Sequence, residues 1–439
     1  MPYDIIIGRD AADKETFGNR GLAYLGKGYV RMGTYTSLSN KLWLDVARSH
    51  VILVAGKRGT GKSYSIAAIA EELSCLPEEN AKNIASLIFD TMGIFWTMKF
   101  PNEKEHDLLA SWDLEEKPLP VKVFVPLGKA AIYREKGIPV DATFALNPTE
   151  LAADDWLALF NVDITSREGV FITRVIESLK KQPFGFALDS IIHALSNDSE
   201  ANKETKEVAA ALFTAAESWG IFATDREGTN VSDLLNPGTT SVLDISIYSS
   251  TAAFNIRALV ISLLSRKIFQ HRMDARKQEE REAIRHGQDY LTLSQTGGRR
   301  QQPLVWLFLD EAHEFLPVQG KTPATDALVQ LLREGRQPGI SLVMATQQPG
   351  QIHKDAMRQS DIVIAHRVTS KADLAALNEI MQTYTLESIK QHMDSLPPLK
   401  GAAIVLDDNS ERIYPMRVRP RFTWHGGESP VSIKADLLI

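Results

Sequence analysis

The chain has 439 residues, 44% of them hydrophobic and 24% charged, with 49 Lys+Arg against 55 Asp+Glu for a net charge of −6. That length holds two or three domains' worth of core, and the balance excludes a disordered chain or a protein that coats nucleic acid through bulk positive charge. A single cysteine, Cys75, excludes a disulfide framework and a Cys-cluster zinc site. With no apolar run near the ~20 residues a bilayer demands, the expectation is a soluble, cytoplasmic protein without membrane contact.

In chain order, residues 1–50 predict a short N-terminal β segment, with strands at Tyr29–Arg31 and Lys41–Leu44 among glycine-rich turns. From Val51 to residue 147, apolar strands (Val51–Ala55, Ser86–Asp90, Val121–Val125) alternate with a helix at Ser63–Leu73, the rhythm of a parallel sheet covered on both faces. Residues 148–235 read as helices throughout: Pro148–Phe160, Ser166–Lys180, Phe186–Leu195, Glu204–Trp219 and Val231–Leu235. The sheet pattern resumes over 236–427. Strands fall at Thr240–Ser246, Leu304–Leu309, Ile340–Ala345, Asp361–Arg367, Ala402–Leu406 and Arg412–Arg417, and residues 428–439 form a tail. A long helix after Ile256 becomes strongly charged from Arg266 to His286, which predicts a far end in solvent or against another subunit. The fold class is therefore α/β: one phosphate-loop sheet carrying an inserted helical bundle.

Gly56-Lys57-Arg58-Gly59-Thr60-Gly61-Lys62-Ser63 is a full phosphate-binding loop, set between an apolar strand and a helix as that motif requires. Gly56, Gly59, Thr60 and Gly61 let successive backbone N–H groups face a phosphate, and the helix N-terminus adds positive potential. Lys62 would bridge the β- and γ-phosphates of ATP, and the Ser63 hydroxyl would ligate Mg²⁺. A carboxylate ending a buried strand is the second half of such a site. Leu304–Leu309 followed by Asp310-Glu311 supplies it, Asp310 for the metal and Glu311 to polarise the attacking water. His313 reads as a turn residue beside them. The Asp-Glu-Ala-His string suggests a two-lobed helicase, but too little chain follows for a second lobe.

Gln347, or Gln348 beside it, ends the Ile340–Ala345 strand where a γ-phosphate sensor would stand. Arg336, in the turn Arg333-Glu334-Gly335-Arg336, is either an arginine finger for a neighbouring subunit or a charge complementing the helix dipole. Arg333 reads as a surface ion pair.

The loop, the Leu-Asp-Glu-Ala-His strand, the Arg-Glu-Gly-Arg turn, the Ala-Thr-Gln-Gln-Pro strand end and the late Arg421-Phe422-Thr423-Trp424-His425-Gly426-Gly427 together resemble the HerA family of the HerA/FtsK superfamily. The resemblance covers roughly residues 45–427. It implies a RecA-like fold and a hexameric homo-oligomer threading double-stranded DNA, with ATP sites between subunits and a nuclease partner of NurA type or a defence effector. By the match Lys62, Ser63, Asp310 and Glu311 act in cis, Gln347 senses phosphate, Arg336 acts in trans, and Asp90 is a further acid of the ATP site. Met92-Gly93 stands where the family usually has His-Gly, and the N-terminal segment is shorter than the family's barrel. Basic candidates for DNA contact are Lys129 and Arg134 in a Gly128–Gly137 loop, Lys180, Lys181, Arg299, Arg300, and an alternating face of Arg417, Arg419 and Arg421. The rival reading is a regulatory ring ATPase that controls an effector without moving DNA.

Overall fold

A computed structural model describes residues 3–32, 35–224, 227–250, 253–286, 302–368, 370–380 and 386–427. Thirteen strands form one sheet: β1 (Ile5–Ile7), β2 (Leu22–Met32), β3 (Tyr35–Asp45), β4 (Val51–Ala55), β5 (Ile84–Asp90), β6 (Lys122–Pro126), β7 (Ala142–Phe144), β8 (Thr240–Asp244), β9 (Leu304–Leu309), β10 (Ile340–Thr346), β11 (Ile362–His366), β12 (Ala402–Asp407) and β13 (Arg412–Val418). Their spatial order is β1-β3-β2-β13-β12-β11-β4-β10-β9-β5-β8-β6-β7. From β11 to β7 every pairing is parallel. The other end is antiparallel from β11 through β3.

Burial explains the division. In β4, β5, β8, β10 and β11 every residue is buried, as strands covered on both faces must be. Alternation then sends Val51, Leu53 and Ala55 into one apolar layer with Trp156, Ile172, Phe213 and Leu259. Ile52 and Val54 go into the opposite layer with Ile66, Ile69 and Phe308. The first layer is roofed by the helical segment and the second by the Lys62–Ser74 helix that leaves the phosphate loop.

The N-terminal segment departs from the expected few short strands. Its two 11-residue strands pair along their length, and β2 joins β13, so the segment extends the sheet edge. Its anchor is Arg9, fully buried against Asp45 and hydrogen-bonded to the carbonyls of Gly18, Arg20 and Gly21. The Gly128–Gly137 stretch is helical over Ala130–Glu135 rather than a loop, and a further helix, Leu386–Ser395, lacks a sequence prediction. The long helix spans Phe254–His286. Its charged half is docked at Arg272, 1% exposed, whose Nε donates to the Pro338 carbonyl at 2.8 Å. Arg299 and Arg300 lie outside the described residues. No helix among the described residues is long and apolar enough to cross a membrane.

Candidate active site

Parallel register brings the loop and the acids together. Ala55 of β4 sits opposite Thr346 of β10, and Leu309 of β9 opposite Met344, so Gly56, Asp310 and Gln347 all follow level strand ends. The backbone leaves β4 under tight constraint: Gly56 N donates to the Thr346 carbonyl at 3.2 Å and Lys57 N to that of Arg367 at 3.3 Å. A Cβ at Gly56 would lie 2.7 Å from Thr60 Oγ1 and 2.7 Å from the His366 Cβ, which is why only glycine fits. Gly59 and Gly61 take φ +78° and +112°, unfavourable for residues with a Cβ, and turn the chain into the Lys62–Ser74 helix.

Lys62 is 5% exposed, and its Nζ donates to the Lys57 carbonyl at 3.1 Å. Burial pushes its pKa down, while the charges of Glu311 and Asp310 oppose that shift. Ser63 Oγ donates to Asp310 Oδ2 at 2.6 Å, and Asp310 Oδ1 accepts the Glu311 N–H at 2.9 Å. A hydroxyl and a carboxylate oxygen side by side, beyond the N-terminus of a helix, fit a hard divalent cation and the phosphates it accompanies. Mg²⁺–ATP thus suits the donor set.

Glu311 adopts φ +51°, a left-handed backbone seldom used by non-glycine residues and a frequent sign of a functional position. Gln347 Nε2 donates to Glu311 Oε1, while Glu311 Oε2 is buried without a hydrogen-bond partner among the described residues. Burial raises the Glu311 pKa, Asp310 adds to the rise and the Gln347 bond opposes it. An acid so placed gains basicity, as a residue that orients water requires. Of the two glutamines at the strand end, Gln347 therefore meets the acid and Gln348 faces solvent. His313 Nδ1 stands 3.6 Å from Glu311 Oε2, with its pKa lowered by burial, a neutral neighbour.

Two expectations change. The Asp90 carboxylate is fully buried and accepts from Met92, Gly93 and Phe95 N–H at 3.2, 2.7 and 2.8 Å, so it caps its own turn. Burial and the neighbouring Asp244 raise its pKa to about 8. Arg419 and Arg421 do not form a DNA-facing stripe. They are 0% and 1% exposed and bind Glu71, itself fully buried on the Lys62–Ser74 helix. Arg336 precedes β10 and so lies at the end of the parallel strands opposite the phosphate loop, roughly 20 Å away by strand rise. There it donates to the Gln359 carbonyl at 2.5 Å and pairs with Asp361 at 3.3 Å, its side chain 43% exposed. It has no reach to the phosphate loop of its own chain. Arg333 forms the expected surface pair with Asp355.

Tyr64 and Lys400, which the motif reading missed, line a cleft of about 550 Å³ that opens from Gly59–Ser63 toward Arg417, Trp424 and His425. One sequence signal was available: Glu71 stands inside the apolar stretch Ile66–Leu73, and a buried acid there demands a cation from elsewhere in the chain.

Comparison with known proteins agrees with this geometry. The chain is 25% identical over 189 residues to the DNA double-strand break repair helicase HerA of Pyrococcus furiosus, which is 40% of this chain and 32% of that protein. It thus spans about a third of that relative's length. The structure of VirB4 of Thermoanaerobacter pseudethanolicus superposes with a TM-score of 0.52 at 13% identity, covering 91% of this chain and 96% of that one, a likeness of fold. Residues 30–268, more than half of the chain, match the family described as the central domain of helicase HerA, DUF87, and the chain belongs to that family.

Proposed function

We propose that this chain is an ATP-driven double-stranded-DNA translocase that works as a ring, hexameric by family resemblance, with a nuclease partner in end processing or defence. The observation that carries the reading is the convergence of Lys62, Ser63, Asp310, Glu311 and Gln347 at one end of the parallel sheet. The family and the curated relative's name supply the DNA.

In this mechanism Lys62 offsets charge on the β- and γ-phosphates, and loop N–H groups hold them in place. Mg²⁺, held by Ser63 and Asp310, would supply Lewis acidity at the phosphate oxygens. Glu311 accepts the proton of the water that attacks the γ-phosphorus, as the bond from that phosphorus to the β–γ bridging oxygen breaks. Gln347, bonded to Glu311, links that carboxylate to β10 and to the state of the phosphate. Arg336 stands free of its own loop and serves a neighbouring copy's site. Exposed Lys180 and Lys181, which close a helix of the inserted segment, are candidates for phosphate contact along DNA.

The second reading, a regulatory ring ATPase, draws on the N-terminal strands, which extend the sheet rather than form a separate module. Steady-state ATP hydrolysis with and without linear duplex DNA separates the two, with Glu311→Gln as the blank. The translocase reading expects turnover that DNA raises severalfold and that the blank lacks. Glu311-dependent turnover indifferent to DNA overturns it in favour of the regulator.

A further inference from the structure

The cleft beside the phosphate loop has two unlike ends. Gly59, Gly61, Lys62 and Ser63 form one, and Asp310, Glu311 and Gln347 lie off its wall. It therefore leads away from the reacting phosphate. At the far end the wall is aromatic: Tyr64, Trp424 and His425, with Arg417 adding a cation. The volume of about 550 Å³ falls within the ~300–1,000 Å³ range of small-molecule pockets.

These rings are held in fixed positions. Tyr64 and His425 meet edge to face with centroids 5.3 Å apart. Tyr64 Oη donates to Glu105 Oε2 at 2.8 Å and accepts the Arg421 N–H at 2.7 Å. His425 Nδ1 stands 3.1 Å from Arg421 Nη1; since arginine only donates, Nδ1 accepts, which fixes the ring's orientation. Trp424 is pinned through its backbone, N–H to the Phe100 carbonyl at 2.8 Å and carbonyl to Thr97 Oγ1 at 3.0 Å, while the residue is 40% exposed at the cleft. An indole left open in a pocket, with its backbone tied on both sides, is a preformed platform for a flat apolar ring.

We propose that Trp424 and His425 form the base-side wall of the nucleotide cleft and bind the purine ring of ATP, so that the segment after β13 makes this site selective for a nucleoside over bare polyphosphate. This rests on the ATP reading and extends it from the phosphates to the base. The segment is tied to the phosphate-loop helix by Glu71, which couples the two ends of the ligand through one buried carboxylate.

The test is calorimetric titration of the full chain with ATP and, separately, with inorganic tripolyphosphate, for wild type, Trp424→Ala, His425→Ala and Trp424→Phe. Loss of a stacking ring should weaken ATP about tenfold and leave tripolyphosphate within about twofold, with Trp424→Phe retaining most of the ATP affinity. Equal losses for both ligands in the Ala variants, or unchanged ATP affinity, overturn the inference. A wild type that binds tripolyphosphate as tightly as ATP overturns it while sparing the phosphate site. A wild type that binds neither overturns the ATP reading, and this inference with it.

Discussion

Glu71→Gln removes one negative charge from a fully buried ionic cluster. Glu71 accepts from Arg419 Nη1 at 2.9 Å, Arg421 Nε at 3.1 Å, the N–H groups of Phe422 and Thr423 at 3.0 and 3.1 Å, and the Thr423 hydroxyl. Burial alone would raise its pKa, but Arg419 and Arg421 prevail and hold it below the ordinary carboxylate value. The glutamine variant leaves two buried guanidinium groups facing a neutral amide, with Glu72 as Arg419's remaining carboxylate. Breaking such a pair costs about 3–5 kcal/mol. Unfolding entropy of about 2.1 cal/mol/K per residue gives about 0.9 kcal/mol/K for the whole chain, so Tm should fall by roughly 3–5 °C if it melts as one unit. Differential scanning calorimetry reads that fall, and limited proteolysis should cut between Arg419 and Gly427 far sooner in the variant. A Tm drop below about 1 °C with unchanged proteolysis would refute the argument, since apolar contacts alone would then hold the segment.

Gly56→Ala should abolish nucleotide binding with the far-ultraviolet circular dichroism unchanged, because its Cβ would come within 2.7 Å of Thr60 Oγ1 and of the His366 Cβ, and overpacking of this kind costs about 1–3 kcal/mol at the loop. His50 gives a pH signature. Burial opposes its charge, yet hydrogen bonds to Asp361 at 2.7 Å and Asp45 at 3.2 Å raise its pKa to about 9. A folded pKa above the unfolded 6.5 gives stability that is full below pH 6.5 and lost as pH rises through 9, by roughly 3 kcal/mol in all. Urea melts between pH 6.5 and 9 should show that decline in wild type and lack it in His50→Gln.

Much of the parallel half was legible because its strands announce themselves. Val51–Ala55 and Leu304–Leu309 are uninterrupted apolar runs, and their boundaries in the structure match those read from sequence. The loop at Gly56–Ser63 and the acids at Asp310 and Glu311 were legible for a related reason: chemistry at phosphates restricts which residues fit at those spacings. The antiparallel edge was harder. β2 and β3 carry glycines, lysines and bulges between Tyr24/Gly26 and Lys27/Tyr29, so their alternation is broken and only fragments stood out. Arg419 and Arg421 show the limit of periodicity as a guide to exposure. The same spacing that suits a basic stripe also suits a buried cluster, and Glu71, nearly 350 positions earlier, decides between them. Asp90 misled in the same way, since an acid at a strand end serves a turn as readily as a ligand.

In the proposed ring, each ATP site is completed by Arg336 from the next copy. Co-expression of Lys62→Ala and Arg336→Ala chains tests it directly. Each variant alone should be inactive. In mixed assemblies the Lys62→Ala copy lends its intact Arg336 to the intact loop of its Arg336→Ala neighbour, so hydrolysis should return to a substantial fraction of wild type. Mixed assemblies as inactive as either variant alone, or an Arg336→Ala chain that hydrolyses ATP at the wild-type rate, would contradict it.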